Sequence, residues 1–260
     1  MKKYLPLLFL AASLTSQAQG SLTNGLLARF PFDASYTDVT GNFELGDMAS
    51  LSFGPDARGQ AAAALQLSGT GQLAVQPGGL LNFGTTGSYS FSVAFRTLAS
   101  GTQSFFSNQG LYTVGMAGSS RGWSLGFDSR QAGKVFLNLV GINSTNGGLG
   151  LATQASFNDG AWHTVVAVVD RTSNTVRLYI DGTAQPLTYV SSNPTYGTVA
   201  GSTFTIGNTA SAFVDLSPGY SLTQPNTIGL YNRFGLDYNG RLDEARFYNR
   251  VLTAAEVQAL

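Results

Sequence analysis

The chain has no cysteine in its 260 residues. No disulfide can staple it, and no thiol can act as nucleophile, metal ligand or lipid anchor. Charge is almost as scarce: Asp, Glu, Lys and Arg make up 11% of the sequence, against roughly 25% in ordinary soluble domains. The 14 basic and 14 acidic residues cancel. Scattered arginines on a neutral chain leave no electrostatic footprint for nucleic acid or an anionic membrane surface. The single histidine, His163, cannot build a His-cluster zinc site, and a catalytic triad would have no other base. No apolar run reaches the roughly 20 residues that membrane insertion requires. A chain so equipped is held by its core, or by a metal.

What is present begins with an export pattern. Met1-Lys2-Lys3 is a basic start, and Tyr4 to Leu14 is an apolar run of h-region length, interrupted by Pro6. Ser16-Gln17-Ala18 puts small residues where a signal peptidase reads, which predicts cleavage after Ala18. Residues 1–18 are thus expected to be a signal peptide and 19–260 a single secreted or cell-surface domain. Loss of Lys2 and Lys3 leaves Lys134 as the only lysine. The mature net charge is then about −2, from 12 basic against 14 acidic residues. Asn, Ser, Thr and Gly cover the surface instead, as suits a β-sandwich with many turns.

Strand patterns recur along the whole chain, with no linker and no internal repeat. Leu26 to Phe32 reads as the first strand, and Ala62 to Leu67 and Gln72 to Val75 as a pair. Tyr89 to Arg96 alternates, with Phe91, Val93 and Phe95 on one face and Ser90, Ser92 and Ala94 on the other. Gln103 to Asn108, Tyr112 to Met116, Gly122 to Asp128 and Lys134 to Val140 follow. Val165 to Val169 is a β-branched run suited to burial on both faces. Val176, Leu178 and Ile180 alternate with polar neighbours up to a turn at Asp181-Gly182. Short strands near Phe204 to Ile206 and at Arg241 to Tyr248 complete the series. Thr253-Ala254-Ala255-Glu256 is a capping box that starts one short closing helix. The predicted fold is all-β, an antiparallel sandwich with one short C-terminal helix.

Three segments carry a family resemblance. They are Gly25 to Asp33 with Asp38 and Gly41-Asn42, Phe157 to His163 continuing to Tyr179-Ile180-Asp181-Gly182, and Gly240 to Thr253 ending in Glu256. Together, and in this order, they resemble the laminin-G-like group of concanavalin A-like lectin/glucanase domains. The resemblance implies an all-β, two-sheet antiparallel jelly-roll sandwich, often used as a binding module on exported proteins. It also implies a possible structural Ca²⁺ between the loop after the first strand and the last strand. Asp38 and Asp243, with Asp33 and Asn42, would supply oxygens of the kind Ca²⁺ requires. The alternative is that Asp38 and Asn42 are only turn residues, and that Asp243 or Glu244 pairs with Arg29, Arg241 or Arg246.

Ligand-binding candidates are aromatic, because sugars stack on aromatic rings. Trp123, Tyr112, Tyr220, Tyr231, Phe234 and Tyr238 qualify, and the best expectations are Tyr220, Tyr231 and Trp123. Glucanases of the superfamily carry Glu-x-Asp-x-Glu on one strand. Here Glu44, Glu244 and Glu256 are the only glutamates, and none stands in that pattern. Trp162 is expected to anchor a strand start in the core, with His163 partly exposed beside it. The reading is a non-catalytic module for extracellular glycan or a surface protein. The alternatives are a polysaccharide-active enzyme and a purely structural adhesion component.

Overall fold

The computed structural model describes residues 22–46, 51–69, 73–76, 81, 83, 87–108, 122–140, 149–190, 197–207, 226–231 and 236–260. The signal-peptide expectation for residues 1–18 and the strand expected at Tyr112 to Met116 lie outside them. Two antiparallel sheets of ten and eight strands face each other, with a two-stranded ribbon of Leu230–Tyr231 and Leu236–Asp237 beside them. Between the sheets lies one continuous core built by Phe30, Phe91, Phe95, Phe106, Leu125 and Phe247 among others. Among the described residues, no helix is long and apolar enough to cross a membrane.

Alternation places these side chains. In Tyr89–Arg96, Phe91, Val93 and Phe95 enter the core. In Thr175–Ile180 buried and half-buried residues alternate strictly, as a strand with one face in the core requires. His163–Asp170 is buried on both faces along Val165 to Val169. Val165, Ala167 and Val169 join the main core, whereas Val166 and Val168 join a second cluster with Tyr248, Leu252 and Val257. That second cluster is the underside of the closing helix Ala254–Ala259, which starts at the expected capping box on Thr253 and Glu256. The Asp181-Gly182 turn has positive φ at both residues, 50° and 74°, the geometry that matches strand twist in a two-residue hairpin.

The order of the ten-stranded sheet is not the order of the chain. The last strand, Asn239–Tyr248, runs down its middle. One side pairs with Tyr89–Arg96 along its length. Its other side is shared: Asn239 to Leu242 pair with Ala64–Ser68, and Ala245 to Tyr248 pair with Leu26–Phe30. A bulge falls at the hand-over, between Asp243 and Arg246, and Glu244 there has φ 51°. The pair expected from Ala62 to Leu67 and Gln72 to Val75 is not formed. Ala64–Ser68 belongs to the ten-stranded sheet, while Leu73–Gln76 pairs with Glu44–Gly46 and Asn226–Ile228 in the other. Leu149–Thr153 is a strand that the sequence reading missed.

Candidate functional site

The hand-over on the last strand is where the acidic residues singled out in the sequence meet, but not as one group. Asp38 is a clamp. Its carboxylate accepts hydrogen bonds from the backbone N–H groups of Arg29 (2.9 Å), Thr40 (3.0 Å), Asn42 (3.0 Å) and Phe43 (3.1 Å), and from Thr40 Oγ1 (2.6 Å). The residue is 3% exposed. Five donors occupy its lone pairs, so it has none to turn toward a cation. Asn42 serves the same loop, its amide donating to the Leu27 carbonyl at 2.9 Å. These two residues therefore act as turn residues, the alternative that the sequence left open.

Asp243 sits differently. It points from the outer face of the ten-stranded sheet, is 9% exposed, and accepts from its neighbour's N–H, that of Glu244, at 2.8 Å. Burial pushes its carboxyl up to about 7, and the charges of Glu244, Asp33 and Asp56 push the same way. The adjacent Glu244 goes the other direction. Burial alone would raise it, but hydrogen bonding to Arg29 and the charges of Arg246 and Arg29 hold it below its ordinary value. Arg29 reaches Glu244 through Nε at 2.9 Å and Nη2 at 2.8 Å, and Arg246 Nη2 reaches it at 2.8 Å. The fit to a Ca²⁺ is thus confined to Asp243 with Asp33, the one a buried carboxylate that closes no ion pair among the described residues although the charge of Arg246 is near it, the other an exposed loop carboxylate nearby. Among the described residues, no three His, Cys, Asp or Glu side chains form a metal-holding group, so backbone carbonyls would have to complete any such site.

The aromatic expectations divide as well. Trp123 is 2% exposed and packs on Phe91, ring centroids 4.3 Å apart, so it offers no face to a sugar. Its alternation with Leu125 and Phe127 was the signal for an inward position. Tyr238 is likewise buried, its hydroxyl donating to the Arg96 carbonyl at 3.1 Å. Tyr231 lies in the short ribbon strand Leu230–Tyr231. Tyr220, Tyr112 and Phe234 lie outside the described residues. Trp162 is half-buried and belongs to neither apolar cluster, contrary to its expected place in the core. His163 is held between two carboxylates, Nδ1 2.8 Å from Asp181 Oδ2 and Nε2 3.2 Å from Asp159 Oδ1. Both ring nitrogens are thereby engaged. Asp159 is held below its usual range by the Ala161 N–H first and by His163 second.

A concavity that the sequence did not announce opens on the outer face of the ten-stranded sheet, one step along the last strand from the acidic hand-over. It is a cleft of about 490 Å³ lined by Gln66, Arg96, Thr97, Leu98, Asn239 and Arg241 among others. Gln66, Arg241 and Arg96 stand side by side on three adjacent strands, Arg241 opposite Gln66 on one side and opposite Arg96 on the other. Arg241 Nε donates to Gln66 Oε1 at 2.7 Å, and Arg96 Nε donates to the Gly160 carbonyl at 2.6 Å. Gly240 has φ 154°, and a Cβ there would run into the Arg96 carbonyl, so glycine lets the two strands lie this close. Leu98, 77% exposed, forms an apolar lip. Each arginine sits at a polar position of an alternating strand, but only the register brings them together.

Comparison with known proteins bears on the fold. No curated protein matches the chain in sequence. The binding domain of Paraclostridial Mosquitocidal Protein 1 superposes with a TM-score of 0.58 at 15% identity, covering 91% of this chain and 52% of that one. The chain therefore spans about half the length of the toxin binding domain it resembles. The CBM40 of the Ruminococcus gnavus IT-sialidase, solved with alpha2,3 sialyllactose, gives 0.54 at 18% identity, over 75% of this chain and 95% of that one. Domain 4 of AbnA, a GH43 extracellular arabinanase from Geobacillus stearothermophilus, solved with arabinotriose, gives 0.51 at 17% identity, over 90% and 96%. At such identities the likeness is one of fold. A family model described as the concanavalin A-like lectin/glucanases superfamily, of laminin-G type, matches residues 67–258, and the chain belongs to that family.

Proposed function

We propose that this chain is an exported, non-catalytic module that binds extracellular carbohydrate. The observation that carries the reading is the cleft at Gln66, Arg96 and Arg241. It combines fixed guanidinium and amide donors, backbone carbonyls and an apolar lip on an outer sheet face, the mixture that sugar hydroxyls and C–H faces require. The fold-level likeness to a CBM40 solved with sialyllactose and an arabinanase domain solved with arabinotriose agrees with it. The positions of the glutamates support the absence of catalysis. Glu244 is bound to Arg29 and Arg246, Glu256 is bound to Arg250 and its own helix cap, and Glu44 is exposed on a strand of the other sheet. No two of them face one sugar as glycoside hydrolysis demands. Tyr220 and Tyr231 remain the proposed stacking residues. A surface glycoprotein presenting such a glycan is the corresponding partner.

A structural Ca²⁺ at Asp243 and Asp33 belongs to the same proposal, and the buried, electrostatically disfavoured Asp243 carboxylate supports it. A cation there would supply charge neutralisation and cross-link the first loop to the last strand. Binding of the purified chain to a glycan array, with and without calcium, tests the module. Retention of at least one glycan class, with no reducing ends released from polysaccharide, is expected. An array without signal, or release of reducing ends, overturns it.

A further inference from the structure

We infer that the cleft is an oxyanion subsite, selecting sugars that carry a carboxylate or sulfate, with Arg96 and Arg241 as its two anion ligands. This rests on the carbohydrate reading above and names the class of sugar. The argument begins with register. Arg96 and Arg241 are direct cross-strand partners, and like charges so placed, with Cβ atoms about 5 Å apart, repel. The protein does not relieve that repulsion with an acid. Arg29, Arg246, Arg130 and Arg250 all close ion pairs, with Glu244, Asp128 or Glu256. Among the described residues neither Arg96 nor Arg241 does; Arg58, Arg171 and Arg177 form none either, but Arg96 and Arg241 are cross-strand partners lining one cleft. Two carboxylates close in sequence to the cleft, Asp159 and Asp243, form no ion pair with either arginine: Asp159 Oδ1 accepts from the Ala161 N–H and meets His163, and Asp243 accepts from the Glu244 N–H.

Their acceptors are neutral instead, Gly160 O for Arg96 and Gln66 Oε1 for Arg241. Gln66 is held in turn, its Nε2 donating to Gly240 O at 3.2 Å. A guanidinium fixed through Nε keeps its Nη donors for another partner, in a planar fork that fits the two oxygens of a carboxylate or sulfate. Both residues line the same cleft, oriented but not neutralised, Arg96 toward Gly160 and Arg241 toward Gln66 and Gly54. The exposed Leu98 beside them would lie against the ring of the sugar that carries the anion. A neutral sugar could use the donors but would leave both charges uncompensated.

Calorimetric titration of the full chain with three oligosaccharides decides the matter. One is oligogalacturonate, which has carboxylates and no sulfate; one is a sulfated maltooligosaccharide, which has the reverse; one is the unmodified maltooligosaccharide. Binding of one or both charged sugars is expected, and which of the two binds identifies the oxyanion. Arg96→Gln and Arg241→Gln should each weaken that binding about tenfold or more, the cost of one lost charge-assisted fork. Arg177→Gln, which removes one charge elsewhere on the same sheet, should bind as the parent does. Arg96→Lys keeps the charge and loses the fork, and serves where Arg96→Gln disturbs the fold; it too should weaken binding. Equal affinity for the charged and unmodified sugars, or unchanged affinity in the arginine variants, overturns the subsite. Retention of neutral sugars alone overturns the subsite but leaves the carbohydrate module standing. Failure of every sugar on the wider array removes both.

Discussion

Arg29 and Glu244 stand 215 positions apart in the chain and meet in a two-pronged ion pair, Nε and Nη2 of the one donating to the two carboxylate oxygens of the other at 2.9 and 2.8 Å. The pair ties the first strand to the bulge of the last. Glu244 also holds Arg246, whose side chain is 15% exposed. Glu244→Gln therefore strands one half-buried and one nearly buried cation. A loss of about 1–3 kcal/mol in urea unfolding is expected, with a smaller loss for Arg29→Ala, since a third of that pair lies in water. A loss under about 0.5 kcal/mol would mean that solvent screens the pair completely.

The two neighbours on that bulge titrate in opposite senses. Asp243, pushed up to about 7, binds its proton more tightly folded than unfolded. Its contribution is thus present below the unfolded carboxyl range and is lost as pH rises toward 7. Glu244, held low, contributes above its unfolded value and loses that contribution in acid. In the absence of divalent cations, stability should fall between pH 4 and 7, on the order of 3 kcal/mol. Asp243→Asn should flatten that slope. Thermal melts across this range, with chelator and with calcium, provide the measurement. Calcium that raises the melting temperature of the parent at pH 7 but not of Asp243→Asn supports the cation; a parent indifferent to calcium rules it out.

Asp38 yields a contrasting expectation. Four backbone amides and one hydroxyl converge on it. Asp38→Ala should cost about 2–4 kcal/mol in denaturant unfolding, because buried donors are left unmet. That cost should be the same with calcium and without it. A calcium-dependent difference would return Asp38 to the cation's ligand set.

The closing helix makes the fourth prediction. Thr253 Oγ1 accepts from Glu256 N, Glu256 accepts from Thr253 N at 2.8 Å, and Arg250 reaches Glu256 at 2.7 Å. Thr253→Ala should destabilise the domain by about 1 kcal/mol. Hydrogen exchange should show the loss first at Val166 and Val168, the strand residues that the helix covers.

Legibility in the sequence followed the physics of each element. Tyr89–Arg96 and Thr175–Ile180 were readable because one face is apolar and the other is not. The closing helix was readable because its cap is written in four adjacent residues. Leu149–Thr153 was missed because Leu-Gly-Leu-Ala-Thr, buried along its whole length, has no polar face to mark its period. The partnership of Ala64–Ser68 and Leu73–Gln76 was misread because adjacency in sequence does not say when a chain changes sheet. At the candidate site, the acidic residues were seen but not their division of labour. A carboxylate that caps a loop and one buried with a single backbone donor look alike until their donors are placed. Arg96 and Arg241 were invisible as a pair because register is a tertiary property.

The shared central strand has a consequence for how the molecule is made. Asn239–Tyr248 is the rung that three other strands share, and all three precede it in the chain. Until it emerges, the amino-terminal strand has no ladder partner and the opening between the sheets stays unclosed. Nascent chains should therefore remain pliable until that strand emerges and lock in a single event. A peptide matching that strand, added in trans to a chain lacking it, is the natural probe of that final closure.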